Sequence, residues 1–274
     1  MISKRKEINI YGEPFCFDAA TDCLVHQRVP SFHIPFSHLR DMGDSYLLPF
    51  YPHFQNSTLL DVSAQGVMAW PVPTRVELDP EGMAEKYGVH QEEIGGKSDF
   101  EVMVNQEMYM LRKLGKLPTV KLCDLDFIID LRYSELRVKS DFARRSISFH
   151  DINQYRGIDV VSDEKDKLWF PYEPEKRSVS NILFRRLEII PPEIVMIELP
   201  NEKTLDPFNY ARANQIDIQA FLKLNPIQGF EFEAKIIPWG KTNLPEIIRE
   251  NVNRKIVMTQ RSGIAKNIKK GKGI

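Results

Sequence analysis

The sequence predicts an α+β protein made of two tandem copies of a mostly antiparallel β unit, each carrying a short helix opened by Leu-Asp-Pro. Three observations carry that reading. Short runs of alternating apolar and polar residues, closed by Gly and Pro, recur along the chain with the period of half-buried strands. Phe15-Cys16-Phe17-Asp18 returns 112 residues later as Phe127-Ile128-Ile129-Asp130. Leu78-Asp79-Pro80 returns as Leu205-Asp206-Pro207.

In order along the chain, Ile8 and Ile10, then Phe15 and Phe17, alternate with polar neighbours around Gly12-Glu13-Pro14, the pattern of a hairpin. Leu24 follows, then Ile34-Pro35-Phe36 and Leu39. Tyr46 to Tyr51 reads as a strand, but Pro49 cannot donate to a ladder, which assigns the run to a sheet edge. At Leu78-Asp79-Pro80 the Asp carboxylate can accept an orphan backbone N–H and Pro suits the first helical position. A helix is therefore predicted to start there and to stop at Gly88. A strand is predicted over Phe100 to Val104. A helix is predicted over Asn105 to Leu114, where Met108, Leu111 and Leu114 share a face and Gly115 and Pro118 end it.

The pattern then restarts. Val120 and Leu122 answer Ile8 and Ile10, and Leu136 answers Leu24, at the same offset. Ile147-Ser148-Phe149 and Ile152 answer Ile34-Pro35-Phe36 and Leu39, and Leu168 to Tyr172 answers Leu47 to Tyr51. The offset grows to 127 at the second Leu-Asp-Pro without ever falling, as insertions into the loops of one copy require. Such a period exceeds the roughly 20 to 50 residues of a solenoid repeat and fits two similar domains, or two halves packed about a pseudo-twofold axis. The second copy also holds apolar stretches at Ile189 to Leu199 and Phe230 to Ile237, and a helix signal from Asp206 to Leu224. The predicted boundaries are a first β-rich repeat over 1–117, a second over 118–250 and a basic C-terminal tail over 251–274.

Composition bounds the function. Apolar residues are 42% and charged residues 27% of 274, as in ordinary globular proteins. A formal net charge of -1 argues against wholesale coating of nucleic acid or a membrane surface. No run approaches the roughly 18 apolar residues of a membrane span, and no apolar segment follows the basic start, so neither a membrane partner nor a secretory signal is expected. Cys16, Cys23 and Cys123 form neither a disulfide framework nor a metal spacing. That pattern predicts a reducing intracellular setting, the cytoplasm or a particle assembled there.

Candidate chemistry is sparse. Asp18 and Asp130, at matching places, could form a general acid/base dyad. The chain reads Asp-Ala-Ala and Asp-Leu-Arg rather than the Asp-Thr-Gly or Asp-Ser-Gly of an aspartic protease, and a strand-end Asp making a local turn explains both. His26, His33, His38 and His53 cluster in the first copy and are the candidate metal ligands, though their spacing matches no standard site and ordinary surface or core histidines account for them. The Pro/aromatic groups give Phe50, Tyr51, Trp169, Phe170 and Tyr172 as candidate partner contacts, against packing at the core edge. The tail holds Arg254, Lys255, Arg261, Lys266, Lys269, Lys270 and Lys272 with no acid, a candidate grip on nucleic-acid phosphates. With no Ser elbow and no phosphate-cradling Gly loop, no cofactor is expected.

The sequence thus favours a non-enzymatic structural, assembly or interaction component of a larger complex, such as a virion or secretion-type particle. A nucleic-acid-associated protein and a metal-dependent enzyme are the alternatives.

Overall fold

The structure, a computed structural model, describes residues 6–50, 68–141, 143, 146–154, 158–160 and 166–270; at 50, 68, 154 and 259–270 it describes the backbone alone. The fold is α+β with mostly antiparallel sheets. Two compact units divide the chain. One is Met1–Lys116 with Ala211–Ile227, and the other is Leu117–Tyr210 with Gln228–Ile274.

In the first unit, β1 (Glu7–Ile10), β2 (Glu13–Asp18), β3 (Cys23–His26) and β4 (His33–Pro35) form an antiparallel meander in chain order. Tyr11 and Gly12, both left-handed (φ 53° and 86°), make the turn between β1 and β2, the backbone a two-residue hairpin needs. Alternation does the rest. Phe15 and Phe17 point inward from β2 and are buried with Leu24, Ile34 and Phe36. Each such ring or branched side chain contributes on the order of 1.5–3 kcal/mol by leaving water.

A second sheet holds β5 (Arg40–Asp41), β6 (Tyr46–Phe50) and β7 (Met68–Val72), with β6 in the middle. The sequence placed Tyr46 to Tyr51 at an edge because of Pro49. The difference has a local reason: β5 pairs only with Tyr46 and Leu47, so at Pro49 the ladder is with β7 alone. Residue 51 lies outside the described residues.

The helices follow: α1 (Arg75–Leu78), α2 (Pro80–Tyr87), α3 (Asp99–Met103) and α4 (Gln106–Lys113). Asp79 caps α2 by accepting from Gly82 N at 2.9 Å, and Gly88 ends it in the left-handed region. The strand predicted at Phe100 to Val104 is instead helix α3. Ser98 Oγ accepts from Glu101 N and the Glu101 carboxylate accepts from Ser98 N at 2.8 Å, a capping box that overrides the β preference of Phe100 and Val102.

The second unit opens with β8 (Thr119–Leu122), β9 (Leu125–Asp130), β10 (Glu135–Val138) and β11 (Ile147–Ser148), then α5 (Phe149–Gln154). β12 (Lys167–Glu173), β13 (Ser178–Val179) and β14 (Val195–Pro200) come next, with a 3-10 turn at Phe184–Arg186. Then follow α6 (Glu202–Leu205), α7 (Pro207–Ala213), α8 (Ile218–Leu224), β15 (Glu231–Glu233), β16 (Lys235–Ile237) and α9 (Leu244–Lys270). The sheets run β11-β10-β9-β8-β15 and β13-β12-β14-β16. β15 joins β8 in parallel, the one parallel pairing among the described strands. The core gathers Phe127, Ile129, Leu136, Phe149, Phe170, Tyr172, Ile197 and Leu199.

The register of the two hairpin systems coincides: Ile8 faces Phe15 as Val120 faces Phe127, and Phe17 faces Leu24 as Ile129 faces Leu136.

Three expectations change in the C-terminal part. The helix read from Asp206 to Leu224 is two helices, because Gln215 turns left-handed (φ 57°) after α7 and Asp217 caps α8 by accepting from Ala220 N at 2.7 Å. Residues 211–227 belong with the first unit, where α8 packs on α3, so neither unit is a contiguous block of the chain. The predicted tail is no separate segment through Lys270, since α9 runs unbroken from Leu244.

Candidate functional site

Two polar constellations stand out, one closed and one open. The closed one is built on Arg75 at the start of α1. Thr74 caps that helix, accepting from Glu77 N at 3.2 Å. The Asp99 carboxylate, fully buried at the start of α3, accepts from the first-turn N–H groups of Arg75 (3.0 Å) and Val76 (2.9 Å), where the helix end favours negative charge. Arg75, 2% exposed, donates a fork to Asp22 at 2.7 and 3.1 Å and a further hydrogen bond from Nη1 to the Tyr46 hydroxyl oxygen at 2.6 Å. Tyr46 in turn donates to Asp99 at 2.8 Å.

The rings of Phe36 and Tyr46 lie under the guanidinium, 4.2 and 5.0 Å from its centre. Lys223 of α8 completes the group, with Nζ 2.5 Å from Asp41 Oδ2 and 5.2 Å over the Tyr46 ring. Burial pushes the Tyr46 phenol far above its ordinary value. Burial opposes the charge on Arg75, but its hydrogen bonds to Asp22 and the nearby acids outweigh that and raise it. Two cations and three carboxylates thus each have a charged or hydrogen-bonded partner within the group. The network ties β5, β6, α1, α3 and α8 together.

The aspartate pair is similarly committed. Asp18 accepts from Thr21 Oγ1 at 2.6 Å, a local turn. Asp130 accepts a fork from Arg132 at 2.9 and 2.7 Å, and that guanidinium holds its carboxyl below the usual range. Each serves its own turn, as a strand-end Asp is expected to do.

The histidines are placed differently from one another. His26 is buried; its Nδ1 accepts from Arg28 N (3.1 Å) and Val29 N (3.0 Å), its Nε2 meets Glu13 at 3.1 Å, and the Phe15 ring stands edge-on at 4.9 Å. Both ring nitrogens are therefore used structurally. His33 is exposed and meets Ser31 O, His38 is half-buried, and His53 lies outside the described residues. Among the described residues no three His, Cys, Asp or Glu side chains are arranged to hold a metal ion.

Of the aromatic contact candidates, Phe170 and Tyr172 are fully buried, because both face inward into the second core, and they are withdrawn as contacts. Trp169 packs beside the Phe184 cluster and donates from its indole N–H to Glu198 at 3.2 Å. The Phe50 side chain and Tyr51 lie outside the described residues. The Tyr172 hydroxyl has no hydrogen-bond partner among the described residues, and burial raises it to about 12.

The open constellation is a groove of about 520 Å3 between the 3-10 turn Phe184–Arg186 and α9, lined by Arg185, Arg186, Glu188, Arg254, Lys255 and Met258 over Asn251. Two of the predicted tail cations, Arg254 and Lys255, are thus in it. The side chains of Arg261, Lys266, Lys269 and Lys270, and all of Lys272, lie outside the described residues. The sequence reading missed Arg185 and Arg186, whose adjacency in a run with Ile189-Ile190 was the available signal. Among the described residues no helix is long and apolar enough to cross a membrane. Comparison with known proteins finds no family model that matches the chain, no similar curated protein and no similar solved structure.

Proposed function

We propose that this chain is a non-enzymatic assembly component of a larger complex, such as a virion or secretion-type particle, built from two diverged copies of one β unit. Copies of itself or another protein are its partners, met through α9. One observation carries the reading. Asn251 is the last buried residue of the described part of α9, and beyond it Ile256 and Val257 stand 50% and 46% exposed. Adjacent exposed apolar side chains on a helix are the usual material of a protein contact.

Further support comes from the closed Arg75 network, which suits a scaffold better than a reaction. The duplication is supported by left-handed residues at matched places, Tyr11 with Cys123 and Asp22 with Ser134. Cys16, Cys23 and Cys123 are not joined in disulfides, which suits a reducing setting.

The test is sedimentation of the full chain and of I256S/V257S, alongside recovery of the native complex. The proposal expects self-association or a stable complex that the double variant loses. A wild-type chain that stays monomeric at high concentration and is missing from any native particle overturns it.

A further inference from the structure

We propose that the groove between the 3-10 turn Phe184–Arg186 and α9 binds the phosphate backbone of a nucleic acid. The site goes beyond the assembly role and uses a different side of the helix. Asn251, Arg254, Lys255 and Met258 stand at i, i+3, i+4 and i+7, so they form one stripe of α9, and Ile256 and Val257 fall off it.

Asn251 builds the site. Its Nδ2 donates to Phe184 O and Leu187 O, both at 2.9 Å, and so locks the stripe against the turn that carries Arg185 and Arg186. Underneath, Phe184, Leu244 and Met196 are buried with Trp239 and Ile248 packed on them, which makes the frame rigid.

Charge then selects the ligand. Arg185, Arg186 and Arg254 are exposed, and none has an acidic partner among the described residues. The one carboxylate in the lining, Glu188, is held by Lys255 at 2.5 Å. Three guanidinium groups without an acidic partner among the described residues, from two elements, suit phosphate oxygens, which the planar fork engages in pairs. The sequence continues past the groove with Arg261, Lys266, Lys269, Lys270 and Lys272 and no acid, so the complementary ligand is a polymer of phosphates rather than a single anion. An anionic membrane fits less well. Surface-bound helices place apolar residues on the membrane-facing side, and this stripe offers Met258 alone.

Fluorescence anisotropy of the full chain with a labelled 30-nucleotide single strand, its RNA equivalent and the duplex, from 50 to 300 mM KCl, tests the site. We expect binding that weakens steeply with salt. R185A/R186A should weaken it roughly tenfold on every sequence and lower the log–log salt slope by about 1.4 to 1.8, as loss of two phosphate contacts requires. E188Q removes the groove's carboxylate at an exposed position and should tighten binding roughly threefold; it decides the matter if the double arginine variant fails to fold. N251A, which keeps every charge but frees the helix from the turn, should weaken binding where R28A does not. The site is overturned by no binding to any oligonucleotide at 50 mM KCl. It is equally overturned by affinity unchanged in both R185A/R186A and E188Q, or by capture on phosphatidylserine vesicles without capture of oligonucleotides.

Discussion

Lys223 sets its ammonium 2.5 Å from Asp41 although the two residues lie on α8 and β5, far apart in the chain. The lysine side chain is 2% exposed and the aspartate 16%, so the pair is largely out of water. Removing one member strands the other, a loss of about 3–5 kcal/mol. We expect K223A to lower stability by that order in urea titration. K223M/D41L should recover at least about 1 kcal/mol of the summed single losses. Strictly additive losses would show that the two side chains are uncoupled.

Arg75 is harder to replace. Lysine keeps the charge, but one ammonium cannot form the fork to Asp22 and also reach the Tyr46 hydroxyl. R75K should therefore cost about 2–4 kcal/mol, most of what R75A costs. Chemical denaturation of the two variants side by side checks this, and a stability equal to wild type for R75K would contradict it.

Tyr172 behaves in the opposite sense. Its hydroxyl is buried without a hydrogen-bond partner among the described residues, so Y172F should be neutral or stabilising by about 1 kcal/mol. Thermal melts of the variant measure that directly.

The same burial sets an alkaline limit. Tyr172 is raised to about 12 in the folded chain, and Tyr46 is raised further, while unfolded tyrosine ionises near ~10. The unfolded state gives up its phenolic protons first, so stability is complete below pH ~10 and falls as pH rises toward 12. Absorbance of tyrosinate recorded with circular dichroism should show two tyrosines ionising only as the chain unfolds. Y172F should move the alkaline midpoint upward.

On the acid side Asp130 carries the converse sign. The Arg132 guanidinium lowers its folded-state value, so the stability it confers is present above the unfolded carboxyl range near ~3.9 and is lost as pH falls below it. R132L should shift acid unfolding to higher pH, and an unmoved acid midpoint would contradict the assignment.

Local signals were legible and distant ones were not. Asp79-Pro80 and Gly88 mark both ends of α2 in the sequence, and Phe15 and Phe17 point inward as their alternation requires. Ser98-x-x-Glu101 was equally local, yet Phe100 and Val102 suggested a strand, and the capping box decided for helix. The Arg75 network could not be read, because Asp22 and Asp99 approach from opposite directions along the chain and nothing about either residue names its partner. Half of the basic groove was visible as tail charge. Arg185 and Arg186 were not, since contacts far apart in the chain, the Asn251 hydrogen bonds and the Lys255–Glu188 pair, bring them alongside α9.

The parallel pairing of β15 with β8 has a consequence for synthesis. A nascent chain that has emerged through residue 210 holds most of both units and completes neither. The first still lacks α8 and the lysine for Asp41, and β8 still shows an open edge until Glu231–Glu233 arrives. Unpaired edges recruit other strands, so translation that stalls or stops between those points yields sticky fragments rather than a usable half. Gene truncation in this interval is therefore no route to an isolated first unit, and a soluble version of it would need residues 211–227 joined back by a designed linker.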